Sequence, residues 1–233
     1  MRPRTRPKSF ALVGALAAAG ALFADHHLQP NQAVQDSLTP DSVLADLKSG
    51  NEKYVALQGT GFELGQRREA ATEGQYPKAY VLSCVDSRVP VETVFDQSIG
   101  DIFVGRVAGN VENEDQLGSM EYAAAVAGIK LIVVMGHEGC GAVKGACDDV
   151  KLGNLSSLLQ KIRPAVTSVE GYAGKTSKDE AFVNDVIHAN VKRTVADLRD
   201  RSEVLAGLET EGKIRIVGAF YSLEDGSVTF LDN

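Results

Sequence analysis

Short apolar runs that alternate with helical segments are the feature that most constrains the fold. The run at 130–135 is apolar on both faces after its first residue, Lys130, so it must be covered on both sides. Strands of this kind, separated by helices, are typical of a mostly parallel sheet flanked by helices. We therefore predict an α/β fold with a central sheet of four to five strands. The predicted strands are at 79–83, 102–104, 130–135, 214–220 and 228–231.

Helical periodicity fills the segments between these runs. Thr39 followed by Pro40 is a typical helix start, and an apolar stripe continues from Val43 to Leu57. The glycine-rich segment 59–77 is predicted to be irregular. The other predicted helices are at 115–127, 140–150, 155–169 and 179–206.

The N-terminal residues differ in character from the rest of the chain. Four basic residues and no acidic residue precede residue 9, and residues 9–24 are apolar and rich in alanine, leucine and glycine. This is the pattern of a secretory signal peptide, and small residues allow cleavage after Ala21 or Ala24. An uncleaved membrane anchor is the alternative, although the apolar stretch is shorter than the roughly 20 residues that a spanning helix needs. We therefore predict a signal peptide at 1–24, a loose polar leader at 25–38, one domain at 39–233, and export to a periplasmic location.

The charge of the exported chain limits its partners. Removal of the signal peptide takes the net charge from −7 to −11, because four basic residues and no acidic ones are lost. A surface this acidic disfavours nucleic acid and anionic membranes, so we expect neither as a partner. Three cysteines cannot all pair within one chain, which argues against a disulfide framework. Cys147 is expected to be a buried small apolar residue.

Two motifs stand at the ends of predicted strands. Cys84-Val-Asp86-Ser-Arg88 follows the strand at 79–83, and His137-Glu-Gly-Cys140 follows the strand at 130–135. Sites in parallel sheets form at the carboxyl ends of strands, so Cys84, His137 and Cys140 are expected to converge. Two thiolates and one imidazole are ligands that Zn²⁺ prefers, and three ligands leave one position for water or substrate, as in catalytic zinc sites.

Asp86 and Arg88 indicate chemistry that a structural zinc site would not need. A zinc ion with two thiolates and one neutral histidine is formally uncharged, so its water is less acidic than at a three-histidine site and needs help from neighbours. Asp86 paired with Arg88 could accept a hydrogen bond from zinc-bound hydroxide. An unpaired Asp86 could instead become the fourth zinc ligand. The motif therefore allows an open state and a closed state of the site.

The chain resembles the β-class carbonic anhydrases from about Thr39 to Leu231. Six segments carry the resemblance. They are Cys84-Val-Asp-Ser-Arg-Val-Pro90, Gly100-Asp-Ile-Phe-Val-Gly-Arg106, Ala108-Gly-Asn110, Gly118-Ser-Met-Glu-Tyr122, Gly136-His-Glu-Gly-Cys-Gly-Ala-Val143 and Gly218-Ala-Phe-Tyr221.

The resemblance implies reversible hydration of carbon dioxide to bicarbonate and a proton, with zinc-bound hydroxide as the nucleophile. It also implies a homodimer or homotetramer, because that family completes its substrate pocket across a subunit interface. The residues implied are Cys84, His137 and Cys140 as Zn²⁺ ligands, Asp86 and Arg88 as the catalytic dyad, and Gln75, Phe103 and Tyr122 as substrate contacts.

One departure from the family bears on the state of the site. Some members have an inhibitory bicarbonate site that uses a tryptophan shortly before the first cysteine, whereas this chain has Val81 there and no tryptophan. We therefore expect Asp86 to be paired with Arg88 and the site to be open at neutral pH.

Two other functions remain open from the sequence. Some proteins that share the family's fold and zinc site hydrolyse carbonyl sulfide or carbon disulfide instead, and substrate access would distinguish them. A non-catalytic zinc-binding or thiol-redox protein is the other alternative, against which the Asp86–Arg88 dyad argues.

Overall fold

A five-stranded sheet forms the centre of the chain in the computed structural model, which describes residues 31–171 and 173–231. The strands are β1 (Ala79–Ser83), β2 (Ile102–Arg106), β3 (Leu131–His137), β4 (Arg215–Tyr221) and β5 (Val228–Leu231). Their order is β2-β1-β3-β4-β5, and all neighbours are parallel except β4 and β5. The predicted α/β fold with a mostly parallel sheet is confirmed.

Helices cover both faces of this sheet. In the described part of the chain they are α1 (Gln32–Ser37), α2 (Pro40–Val55), α3 (Leu64–Ala70), α4 (Val91–Val94), α5 (Glu114–Ala125), α6 (Gly141–Cys147), α7 (Gly153–Ser168), α8 (Glu180–Arg201) and α9 (Glu203–Thr210), with a 3₁₀ turn at Ala108–Asn110. None of these helices is long and apolar enough to cross a bilayer.

The side chains of successive strand residues alternate between two apolar layers. Val81, Val133 and Val217 face α2 and α4 on one side of the sheet. Leu82 and Val134 face α5, α8 and α9 on the other side. Both layers are buried, which explains why the strands are continuous apolar runs in the sequence and fixes the register of each strand end.

The N-terminal leader differs from its prediction where the structure describes it. Residues 32–37 form α1, and Gln35 is buried, with its Nε2 donating to the carbonyl oxygens of Pro77 at 2.6 Å and Ala127 at 2.8 Å. The prediction of a loose leader is therefore wrong for these residues, because one buried amide attaches the helix to the domain. The predicted signal peptide at 1–24 lies outside the described residues.

Three further sequence predictions need correction. The helix predicted at 179–206 is two helices, because Ser202 has an extended backbone and its hydroxyl accepts a hydrogen bond from the Leu205 N–H as the N-cap of α9. The segment 59–77 contains α3, whose buried Arg67 forms an ion pair with the buried Asp101. Cys147 is half-buried rather than buried, and its partial burial raises the pKa of the thiol to about 11.

Candidate metal centre

Three potential ligand atoms meet at the carboxyl ends of β1 and β3. Cys84 follows β1, His137 is the last residue of β3, and Cys140 is the N-cap of α6. Their ligand atoms lie within 4.8 Å of one another, and all three side chains are buried. The two strands are parallel neighbours whose carboxyl ends lie side by side. The predicted convergence of these residues is confirmed.

The His137 ring is oriented so that one nitrogen faces the cluster without a hydrogen bond. Its Nδ1 lies 2.9 Å from the carbonyl oxygen of Glu138, which places the ring proton on Nδ1. Nε2 is completely buried and has no hydrogen-bond partner among the described residues. A buried imidazole nitrogen with a free lone pair is costly unless it binds something, and a metal ion is a partner that fits.

The two thiols are close enough that both cannot be ionised without a cation. The Sγ atoms of Cys84 and Cys140 are 3.9 Å apart. The hydrogen bond from Cys140 is the main cause that lowers the pKa of Cys84, to about 4, and the same contact with burial raises the pKa of Cys140. A divalent metal ion would stabilise both thiolates, so the donor set and its electrostatics fit a metal site.

A backbone N–H from the 3₁₀ turn supports the Cys84 sulfur. The Gly109 N–H donates to Cys84 Sγ at 3.3 Å, and Asn190 Nδ2 on α8 donates to the Gly109 carbonyl oxygen at 2.8 Å. Gly109 has a φ of 70°, and a Cβ there would lie 2.5 Å from Ile162 Cδ1, so the turn requires glycine. Asn190 was not predicted from the sequence, although an asparagine on the apolar stripe between Ile187 and Val191 indicates a buried polar contact.

Asn190→Leu is expected to loosen this support. The substitution keeps the side-chain volume but leaves the Gly109 carbonyl oxygen without its donor, which costs about 1–3 kcal/mol of unfolding free energy. Loss of such a supporting contact lowers metal affinity by roughly tenfold or more. Chemical denaturation and competition with a chromogenic zinc chelator measure the two effects. Asn184→Leu, at a half-buried position of the same helix, is the control, and equal zinc affinity in both variants would contradict the role of Asn190.

Asp86 and Arg88 form a bidentate ion pair beside the cluster. Arg88 Nε donates to Asp86 Oδ1 at 2.9 Å, and Arg88 Nη2 donates to Oδ2 at 2.7 Å. These hydrogen bonds hold the pKa of the Asp86 carboxyl well below its usual range. Asp86 Oδ2 is 3.8 Å from His137 Nε2, yet Asp86 is not part of the three-residue ligand group. The predicted pairing is confirmed, and an open site at neutral pH stays a prediction.

The predicted substrate contacts lie away from the cluster within one chain. Phe103 pairs with Tyr80 near the amino end of β1, so it is four residues, or roughly 13 Å, from Cys84 along the strand direction. The Phe103 and Tyr122 rings are 6.3 Å apart at an open cleft, and Tyr122 is 49% exposed. Gln75 is exposed in the loop before β1. One chain does not bring these residues to the metal site, so their role stays a prediction that requires a second subunit.

Comparison with known proteins places this geometry in a family. A family model described as carbonic anhydrase matches residues 79–228. A carbonic anhydrase of Mycolicibacterium smegmatis is 40% identical over 188 residues, which cover 78% of this chain and 88% of that protein. The fold is similar to that of the β-carbonic anhydrase CcaA, with a TM-score of 0.64 and 25% identity, over 82% of this chain and 95% of that chain. It is also similar to a tetrameric β-carbonic anhydrase from Sordaria macrospora, with a TM-score of 0.63 and 23% identity, over 83% and 98% of the two chains.

Proposed function

The chain belongs to the β-class carbonic anhydrase family and hydrates carbon dioxide, and we propose that it does so at a zinc ion held by Cys84, His137 and Cys140. The observation that carries the assignment is the group of three buried ligand atoms within 4.8 Å of one another, one of them an imidazole nitrogen without a hydrogen bond. Two thiolates and one imidazole favour zinc over magnesium or calcium, which prefer oxygen ligands. When bound, zinc would acidify a water molecule at its fourth position and so supply a nucleophile near neutral pH.

The chain's own residues position the reacting water. Asp86 is ionised, and two hydrogen bonds from Arg88 fix the orientation of its carboxylate beside the three ligands. Oδ2 is close enough to His137 Nε2 to accept a hydrogen bond from a water molecule that completes the site. That contact would orient a lone pair of the water oxygen toward carbon dioxide. Arg88 therefore keeps Asp86 ionised and fixes the orientation of its carboxylate.

Stopped-flow measurement with a pH indicator tests the substrate and the metal together. The chain is first stripped of metal with a chelator. After it is reloaded with one equivalent of zinc, we expect it to hydrate carbon dioxide far above the buffer rate, whereas the stripped chain without added zinc should not. Carbonyl sulfide and carbon disulfide are assayed on the same sample by release of hydrogen sulfide. Faster turnover of either sulfur compound than of carbon dioxide would favour the alternative hydrolase function, and no turnover of any of the three would favour a non-catalytic zinc-binding protein.

We propose further that the active protein is a homodimer or homotetramer in which a second copy supplies Gln75, Phe103 and Tyr122 to the metal site. The support is the aromatic pair at the β2 edge of the sheet, with Tyr122 exposed and Phe103 half-buried, together with the absence of these side chains from the metal cluster of their own chain. An exposed aromatic surface of this kind is typical of an interaction site.

Subunit complementation tests this arrangement. Gln75→Ala is expected to lower kcat/KM about tenfold, the cost of one lost hydrogen bond in the transition state. A mixed oligomer of Gln75→Ala chains and Cys84→Ser chains contains some sites with intact ligands from one chain and an intact Gln75 from the other. Activity above that of either parent oligomer is therefore expected. Mixed oligomers that are no more active than the Gln75→Ala oligomer would show that each chain uses its own Gln75.

Export to the periplasm is also proposed, on the basis of the basic and apolar N-terminal sequence. N-terminal sequencing of the chain recovered from a periplasmic extract is expected to give a start after Ala21 or Ala24. Recovery of the intact chain from the cytoplasmic fraction would contradict it.

A further inference from the structure

Arg106 contacts the loop that carries both Cys84 and Asp86. It is the last residue of β2, and its backbone is in register with Ser83, the residue before Cys84. Its Nε donates to the Cys84 carbonyl oxygen at 2.9 Å, and its Nη2 donates to the Asp86 carbonyl oxygen at 2.5 Å. One planar guanidinium therefore binds the main chain on both sides of Val85.

These two contacts fix the position of Asp86 relative to the metal ligands. Cys84 is held by the end of β1 and by the Gly109 N–H, so its position is set by the sheet. Asp86 is two residues further along an exposed loop, where Arg88 pairs with it but lies on the same loop and would move with it. Arg106 is attached to a different strand, so its hydrogen bonds tie the Asp86 main chain to the sheet.

Asp86 lies so close to His137 that the hydrogen bonds from Arg106 can decide whether its carboxylate reaches a bound metal. Asp86 Oδ2 is 3.8 Å from His137 Nε2, while two ligands of one tetrahedral zinc ion with bonds of about 2.1 Å are roughly 3.4 Å apart. A small shift of the loop would therefore bring the carboxylate within reach of a metal at the three-ligand group. An anionic carboxylate is attracted by the cation, so something must hold the loop back.

We propose that Arg106 is a positioning residue that keeps the Cys84–Asp86 loop in the open arrangement, so that Asp86 stays off the metal. The inference rests on the proposed metal site. Without the guanidinium, two carbonyl groups lose their charged donor, and the loop gains the freedom to place Asp86 as a fourth ligand. Arg106 acts on the metal only through this loop.

Anion binding to the cobalt-substituted protein tests the proposal without an activity assay. Thiocyanate occupies an open coordination position, and the visible absorption of Co²⁺ reports both its binding and a change of ligands. Arg106→Gln is expected to weaken thiocyanate binding at least tenfold and to shift the Co²⁺ spectrum before any anion is added. Arg106→Lys, which keeps the charge but not the two-nitrogen fork, is expected to be intermediate and is the variant to use if Arg106→Gln does not fold.

The double variant separates positioning from general loosening. If Asp86 closes the site, Asp86→Ala combined with Arg106→Gln or Arg106→Lys should restore the parent's thiocyanate affinity. Arg215→Gln, which removes an exposed guanidinium at the amino end of β4, is the matched control and should bind thiocyanate like the parent. Parent-like binding by the Arg106 variants, or a double variant as weak as the single one, would overturn the inference alone. A parent chain that binds no cobalt would overturn the proposed metal site and the inference with it.

Discussion

Replacement of Asp86 by alanine is expected to lower kcat for carbon dioxide hydration by about 100-fold or more, while one zinc ion per chain stays bound. The loss follows from removal of the carboxylate that we propose accepts a hydrogen bond from the reacting water, a contribution of about 10²–10⁴ in rate for acid–base groups. Zinc is retained because Asp86 is not one of the three clustered ligands. Stopped-flow kinetics and elemental analysis of the same sample measure the two quantities.

Two companion variants make this result interpretable. Asp86→Asn keeps the shape of the side chain but removes the charge that pairs with Arg88, so it should be nearly as inactive as Asp86→Ala. Ser87→Ala, at an exposed position of the same loop, should stay within about twofold of the parent, as surface substitutions usually do. An active Asp86→Ala chain, or one that has lost its zinc, would contradict the assigned role.

Replacement of His137 by glutamine is expected to remove the metal and the activity together. Only two strong ligands remain, and the buried amide cannot replace an imidazole nitrogen that points into the cluster. A bound ion at 1,000 times its dissociation constant contributes about 4.1 kcal/mol to stability, so the melting temperature of the variant should not rise when zinc is added. Calorimetry with and without zinc measures this difference.

His188→Gln is the matched control for that experiment. His188 is a half-buried histidine on α8 whose ring packs edge-on against Phe220 at 4.6 Å, and it is not part of the three-residue ligand group. Its glutamine variant should still be stabilised by zinc as the parent is. Zinc-dependent stabilisation that survives in His137→Gln would remove His137 from the ligand set.

The sheet could be predicted from the sequence because its physical cause is local. Strands buried on both faces must be apolar at every position, and that pattern is legible in single runs such as 79–83. The strand ends are set by contacts between strands, and β3 continues two residues beyond its predicted end, to His137. That extension is stabilised by pairing with Tyr221 on β4, which no local pattern reveals.

The elements that sequence reasoning missed are stabilised by contacts between distant residues. The helix α1 is attached by the buried Gln35 amide, which reaches carbonyl oxygens 42 and 92 residues away. The short α3 is held by the buried pair of Arg67 with Asp101. A polar segment that is attached by one buried group is predicted to be loose, because the partner of that group is distant in the sequence.

The metal site also has parts that the sequence predicts and parts that depend on contacts between distant residues. Cys84, His137 and Cys140 were predictable, because topology brings the ends of neighbouring parallel strands together and the residue types select a metal. The groups proposed to position them were not predictable, since Asn190 donates to a carbonyl oxygen of the 3₁₀ turn and Arg106 to a carbonyl oxygen of the Cys84–Asp86 loop. A hydrogen bond to a carbonyl oxygen leaves no signature in the residue that receives it.

Carbon dioxide hydration by the Cys84→Ser chain is the decisive test of the three-ligand zinc site, and it is measured by stopped flow beside the parent at equal protein and zinc concentrations. We expect the folded variant to bind no stoichiometric zinc and to hydrate carbon dioxide at the buffer rate, because a hydroxyl cannot replace the buried thiolate. Hydration by Cys84→Ser at a rate near that of the parent would contradict the three-ligand zinc site.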